Sequence, residues 1–281
     1  MSDRPASRTA LGVLALRAAH QRFDDPPHIL DDPIAEALLD PPARERLLGE
    51  RAAIDSPMAR ALRAHVVTRS RFAEDRLRAS LDRRVRQYIV LGAGYDTFAY
   101  RQPAWAAALR IFEADQPGTQ EDKRQRLAVA RVDTPENLTF VPVDFERESL
   151  SAALAARGFD AGSPAFFSWL GVTMYLDGAA NDGVFRFVAS LPAGSELVFT
   201  FAPPAVTDDD ARAVALGDRA AAVGEPWRTF YDPRALDAHL HSMGYSSVWM
   251  PTPAEIAAAY FLGRSDDLPL PRRRTIVAAI V

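Results

Sequence analysis

The chain has no cysteine and a single lysine, Lys123, among its 281 residues. Without thiols there can be no disulfide framework, no cysteine-bound zinc and no thiol nucleophile. No run approaches the roughly 18 consecutive apolar residues that a membrane span needs. The first eight residues are polar and lack the apolar segment of a signal peptide. A cytoplasmic protein with no membrane partner is expected. Net charge is only −4, and the one tight basic cluster, Arg272-Arg273-Arg274, is too small a patch to imply nucleic acid. The expected partner is a small molecule; the oligomeric state is not legible.

What is present is a 48% hydrophobic chain, enough for one large α/β domain with a modest extension. Residues 1–84 read as a helical extension broken at Pro26-Pro27, Pro33, Pro41-Pro42 and Pro57. Its longest helical pattern covers 56–84, with Ser56 and Pro57 suited to the cap and first position. Arg69 lies close to the apolar stripe of that helix rather than opposite it, where an arginine needs an anionic partner. From residue 85 to 281 short β-like runs alternate with helical ones. Strands are expected at 86–91, 110–114, 138–143, 165–170, 195–201, 246–250 and 275–281, and helices at 116–131, 180–190 and 233–242. The pattern predicts an α/β, doubly wound, seven-stranded and mainly parallel sheet, Rossmann-like, with an insertion around 203–243.

The first strand runs into Gly92-Ala93-Gly94, but Thr97 stands where a dinucleotide fingerprint places its third glycine. Gly92 permits a tight turn, Gly94 lets a ligand approach the backbone, and a helix start beyond would offer free N–H groups. Ligands of doubly wound sheets sit outside the carboxyl ends of the strands. Two acids, Glu113 and Asp115, close the second strand on one face, and Asp144 closes the third. Acids after strands one (Asp96, in the turn), two and three, with no lysine nearby, suit an adenosine better than a phosphate-rich ligand. Each residue also has a plainer reading: a simple turn for the glycines, and a helix cap for Asp115 or Asp144.

In order along the chain, LGAGYDTFAYR (91–101), FEADQP (112–117), VPVDFE (141–146) and FFSWLGVTMYL (166–176) resemble the leucine carboxyl methyltransferase-like family. These are class I S-adenosylmethionine-dependent O-methyltransferases, with a bacterial branch tied to secondary metabolism. The resemblance extends from DDPIAEALL (31–39) to GRSDDL (263–268). It implies S-adenosyl-L-methionine as cofactor, held by the turn Gly92, Ala93 and Gly94. It further implies Asp115 on the ribose, Asp144 and Phe145 at the adenine, and Arg69, within TRSRFAED (68–75), on the methionine carboxylate. The sequence departs from the family at Leu170, where many relatives have a glutamate. Either a backbone carbonyl there meets the methionine amino group or the pocket is built differently.

The expected activity is methyl transfer to a carboxyl or hydroxyl of a small molecule. A carboxylate needs no general base, whereas a hydroxyl benefits from one. His65, His239 and His241 read as surface or packing residues, which leans the sequence towards a carboxylate. Tyr175 is the candidate to orient an acceptor oxygen, and Trp227, Phe230 and Tyr231 could line the acceptor pocket. No metal site is expected, because the acids lie on successive strand ends rather than in a ligand cluster. The alternatives are an NAD(P)-dependent oxidoreductase, opposed by Thr97 and by the lack of a Tyr-x-x-x-Lys pair, and a non-catalytic cofactor-binding protein, for which Leu170 speaks.

Overall fold

The computed structural model describes residues 6–205 and 211–281; the start of the expected extension and residues 206–210 of the expected insertion lie outside them. Seven strands form one sheet: β1 (Gln87–Leu91), β2 (Arg110–Asp115), β3 (Leu138–Pro142), β4 (Ala165–Trp169), β5 (Glu196–Thr200), β6 (Ser247–Trp249) and β7 (Ile276–Ile280). Their order is β3-β2-β1-β4-β5-β7-β6. The pairings from β3 to β5 are parallel, while β7 runs antiparallel between β5 and β6. Every expected strand is present, with ends shifted by one residue or so.

The chain also forms α1 (Arg8–Phe23), α2 (Pro41–Gly49), α3 (Arg51–Ile54), α4 (Pro57–Ser80), α5 (Pro117–Ala130), α6 (Leu150–Ala155), α7 (Gly178–Ala189), α8 (Ala211–Ala222) and α9 (Pro233–Ser242). Ser56 caps α4 by accepting the Ala59 N–H, and Pro57 opens the helix. α4 stops at Ser80, four residues short of expectation, where a short turn leads to Arg84 in the left-handed region at φ 65°.

Strand alternation divides the core in two. Ile89, Leu91, Phe167, Trp169, Leu197 and Phe199 pack on one face, against α7 residues such as Val184 and Phe185. Tyr88, Val90, Phe166 and Val198 pack on the other, against Phe72, Ala73 and Leu77 of α4. Placing α4 across the sheet carries Arg69 to the ends of β1 and β4. A separate cluster, with Leu14 and Ala18 of α1 against Leu38 and Tyr95, ties α1 to the turn after β1.

Candidate active site

A cleft of about 1900 Å³ opens beyond the carboxyl ends of the parallel strands. That exceeds the roughly 300–1,000 Å³ of a pocket for one small molecule, so two ligands can lie in it together. Gly92, Ala93, Gly94, Asp115, Phe145, Leu170, Tyr175 and Arg69 all border it.

The glycine turn is closed upon itself. Ala114 O accepts the N–H groups of Gly92 at 2.8 Å and Ala93 at 3.2 Å, and Asp115 accepts that of Gly94. No α-helix starts directly beyond; only a single 3₁₀ turn, Phe98–Tyr100, follows. The expected row of free helix N–H groups is therefore absent, which removes a phosphate cradle. The glycines also serve packing more than ligand approach. Both have positive φ, 62° and 50°. A Cβ on Gly92 would collide with the Val172 side chain, and one on Gly94 would stand 3.2 Å from Ala10 of α1.

Thr97 marks more than a missing glycine. Its hydroxyl donates to Asp32 at 2.7 Å and accepts from Arg17 and Arg101, each at 3.0 Å. Arg17 also pairs with Asp32 at 2.7 Å and with Asp96 at 3.3 Å. Burial alone would raise the Asp96 carboxyl; Arg17, Lys123 and Arg101 more than offset this and hold it below the usual carboxylate range. This buried cluster fastens the N-terminal segment to the turn. Sequence reading missed it because its members are far apart in the chain.

Asp115 is not a helix cap: Gln116 occupies the cap position of α5. Its carboxylate instead accepts the Gly94 and Gln116 N–H groups, the latter at 2.7 Å. Burial pushes its pKa up, and those N–H groups act against the rise. Glu113 lies deeper, 1% exposed, and pairs with Lys123 at 2.6 Å. The expectation of acids with no lysine nearby thus fails at Glu113: α5 returns Lys123 over β2. Burial outweighs the lysine and raises the Glu113 carboxyl to about 7.

Phe145 faces the cleft, but Asp144 does not border it. The Asp144 carboxylate is buried, accepts the Glu146 N–H at 3.0 Å through Oδ1, and leaves Oδ2 without a hydrogen bond. It does not cap α6, whose cap is Ser149. Leu170 follows β4 directly, and Gly171 comes next at φ 77°. That loop is pinned by the Gly171 N–H to Thr200 Oγ1 at 2.7 Å and by Thr173 Oγ1 to Thr200 O at 2.8 Å.

Arg69 lies against Gly171, so close that a Cβ there would stand 2.7 Å from both terminal guanidinium nitrogens. The side chain is 8% exposed and has no hydrogen-bond or ion-pair partner among the described residues. Burial, opposed by nearby Tyr175 and reinforced by Arg17, pushes its pKa down to about 10. A buried, unpaired cation facing a cleft is costly unless an anion joins it.

Around the mouth, Glu225 accepts the Arg8 N–H at 2.7 Å and the Ser7 hydroxyl at 3.0 Å, joining the start of α1 to the segment after α8. Of the three aromatics expected to line an acceptor pocket, Trp227 borders the cleft. Tyr231 packs on the core, and Phe230 is half exposed outside the lining. His239 pairs with Asp182 at 2.8 Å and His241 with the Tyr245 carbonyl at 2.9 Å, as packing residues should. His65 departs from that expectation, for it borders the cleft one turn before Arg69. Among the described residues no group of carboxylates and histidines is arranged for a metal, and no helix is long and apolar enough to cross a membrane.

The strand order with an antiparallel β7, and the cleft at the carboxyl ends of β1, β2 and β4, define a class I methyltransferase-like α/β fold. The chain belongs to the leucine carboxyl methyltransferase family, whose model matches residues 10–189. It is 30% identical to YktD of Bacillus subtilis, named for an inferred S-adenosyl-L-methionine-dependent methyltransferase activity, over 95% of both chains. A Mycobacterium marinum protein with the same inferred activity is 32% identical over 72% of this chain and 67% of its own. Among solved structures, a DUF574 family protein from Streptomyces avermitilis superposes with a TM-score of 0.54 at 16% identity, covering 98% of this chain and 97% of that one. A protein from Thermobifida fusca, inferred to be a methyltransferase, does so at 0.57 and 17%, covering 98% and 94%. The protein is a methyltransferase of this family, whose methyl donor is S-adenosyl-L-methionine.

Proposed function

We propose that this enzyme transfers the methyl group to an oxygen, carboxyl or hydroxyl, of a small molecule. The observation that carries the reading is Arg69, a guanidinium with no partner among the described residues, held nine-tenths buried at the cleft ends of β1 and β4. The donor supplies an electrophilic methyl on a positive sulfur and has one carboxylate, which is the anion Arg69 lacks. In this reading the turn Gly92, Ala93 and Gly94 bounds the sugar, Asp115 accepts from the ribose hydroxyls, and Phe145 gives the adenine an apolar face. The Oδ2 of Asp144, which has no hydrogen bond and only a 4.0 Å ion-pair contact with exposed Arg147, supports its assignment to the adenine amine after a small loop adjustment. The Leu170 backbone carbonyl takes the amino group, and Tyr175 is assigned to the acceptor. Residues 1–84 form an extension that covers the cleft, and 85–281 the methyltransferase unit with its insertion around 203–243. In-line displacement needs alignment and exclusion of water more than covalent help.

The test is calorimetric titration with S-adenosylhomocysteine, with NADPH as control and Asp115→Ala in parallel. Micromolar binding that is lost in the variant, with no heat from NADPH, is expected. NADPH binding without S-adenosylhomocysteine binding would overturn the site assignments.

A further inference from the structure

We propose that Gln116 reads the base of the methyl donor: its side-chain carbonyl accepts one hydrogen of the adenine amino group. The inference rests on the site assignments above, in which Asp115 holds the ribose and Phe145 the adenine. Gln116 follows β2 directly and borders the cleft. Its Oε1 is buried and has no hydrogen-bond partner among the described residues. A buried carbonyl left unpaired costs the desolvation of its oxygen, unless a ligand brings the donor. Local structure gives the side chain no other task. Gln116 stands at the cap position of α5, yet its side chain makes no cap bond, and Pro117 has no N–H to offer it.

The backbone ladder places that amide. Val143, just past β3, donates its N–H to the Asp115 carbonyl at 2.9 Å, so β2 and β3 stay paired to their ends. Gln116 therefore sits between Asp115 on its own strand and the Asp144-Phe145 turn on the next. A base stacked on Phe145, and joined to a ribose held by Asp115, lies over this position. The Gln116 N–H is given to Asp115 Oδ1 at 2.7 Å, which fixes the backbone from which the side chain reaches. Other polar side chains on this wall are engaged: Thr119 accepts the Ser7 N–H at 3.2 Å, and Glu146 pairs with Arg228.

The chemistry of adenosine selects the amine. Its polar hydrogens are those of the two ribose hydroxyls and the two on the amino group. Asp115 can take both hydroxyls, because each of its oxygens accepts one backbone N–H and keeps a second lone pair. The amino group remains, and its two hydrogens suit two acceptors, Gln116 Oε1 from the cleft wall and Asp144 Oδ2 from the turn after β3. An amide also fits the purine edge in a way a carboxylate does not. Its carbonyl accepts from the amine while its NH2 donates to the ring nitrogen alongside.

The test measures Kd by calorimetry for S-adenosylhomocysteine and for its purine-riboside analogue, which has hydrogen in place of the amino group and is otherwise identical. Wild type, Gln116→Met and Gln116→Glu are compared. Wild type is expected to bind both ligands and to prefer the amino form. Failure of the wild type to bind S-adenosylhomocysteine at all would count against the underlying site reading; binding followed by failure below counts against this inference alone. Gln116→Met keeps the reach of the side chain but has no carbonyl. It is expected to shrink the preference by roughly five- to a hundredfold, through weaker S-adenosylhomocysteine binding, with the Kd of the analogue changed by only a few fold. Gln116→Glu keeps an oxygen acceptor and should retain most of the preference. A side chain that only packs, or only supports Asp115, would weaken both ligands alike and leave their ratio unmoved. In wild type, the side-chain NH2 signals of Gln116 should also differ between the two complexes by NMR. Two results would each overturn the inference: an equal preference in wild type and Gln116→Met, or identical Gln116 side-chain signals in the two wild-type complexes.

Discussion

Replacing Arg69 with methionine should stabilise the free protein and abolish its response to ligand. In the absence of ligand the guanidinium is buried, with no anion beside it among the described residues. Lowering its pKa from 12.5 to about 10 corresponds to roughly 3 kcal/mol of unfavourable burial. The sign is that of a base depressed by folding: the penalty is complete below the folded pKa and is relieved only as pH climbs from about 10 towards 12.5. At neutral pH the whole penalty is present. Methionine keeps much of the apolar stem and discards the charge. For a chain of this size about 1 kcal/mol moves Tm by roughly 2–4 °C, so Arg69→Met should melt several degrees above wild type. Saturation at a hundredfold excess over Kd should stabilise the wild type by about 2.7 kcal/mol. The variant should show almost none of this, because losing one member of a buried charge pair costs roughly 2–5 kcal/mol of binding. That is about 30-fold to several thousand-fold in Kd. Differential scanning calorimetry with and without S-adenosylhomocysteine reads both effects. A variant that melts lower than wild type when free, and is protected as well as wild type by the ligand, would refute the assignment of Arg69.

Gly171→Ala should weaken S-adenosylhomocysteine at least tenfold, because its Cβ would displace the Arg69 guanidinium. The φ of 77° should add roughly 1–2 kcal/mol of instability. Calorimetry with an unchanged Kd would contradict the contact. Thr97→Gly should destabilise by roughly 2–4 kcal/mol, through loss of three hydrogen bonds within a buried charge cluster. It should gain no NADPH affinity, although it completes the glycine fingerprint, because no helix N-terminus follows the turn. Urea unfolding and NADPH titration check the two halves.

The strands, the cap at Ser56 and the acid after β2 were legible because they are local. Alternation, helical spacing and turn chemistry act over a few residues, and the motif order then places the strands in one family of sheets. Arg69 was legible for a related reason, since a cation beside an apolar helical stripe is conspicuous in any fold. Partners brought from far along the chain were not legible. Glu113 and Asp115 look alike in sequence, on one face of one strand. Only the return of α5 over β2 gives Lys123 to the first, and leaves the second at the strand end facing the cleft. Thr97 looked like a defect in a glycine pattern until Asp32, Arg17 and Arg101 converged on its hydroxyl. His65 looked like any helical histidine, since nothing near it in sequence says that α4 crosses the sheet with that face over the cleft. Local energetics therefore determined the elements and the family, whereas the pairing of charges, and so which polar groups remain free to meet a ligand, was decided by the tertiary fold. An ionic or hydrogen-bonded contact depends on distance in space, and sequence separation carries almost no information about it.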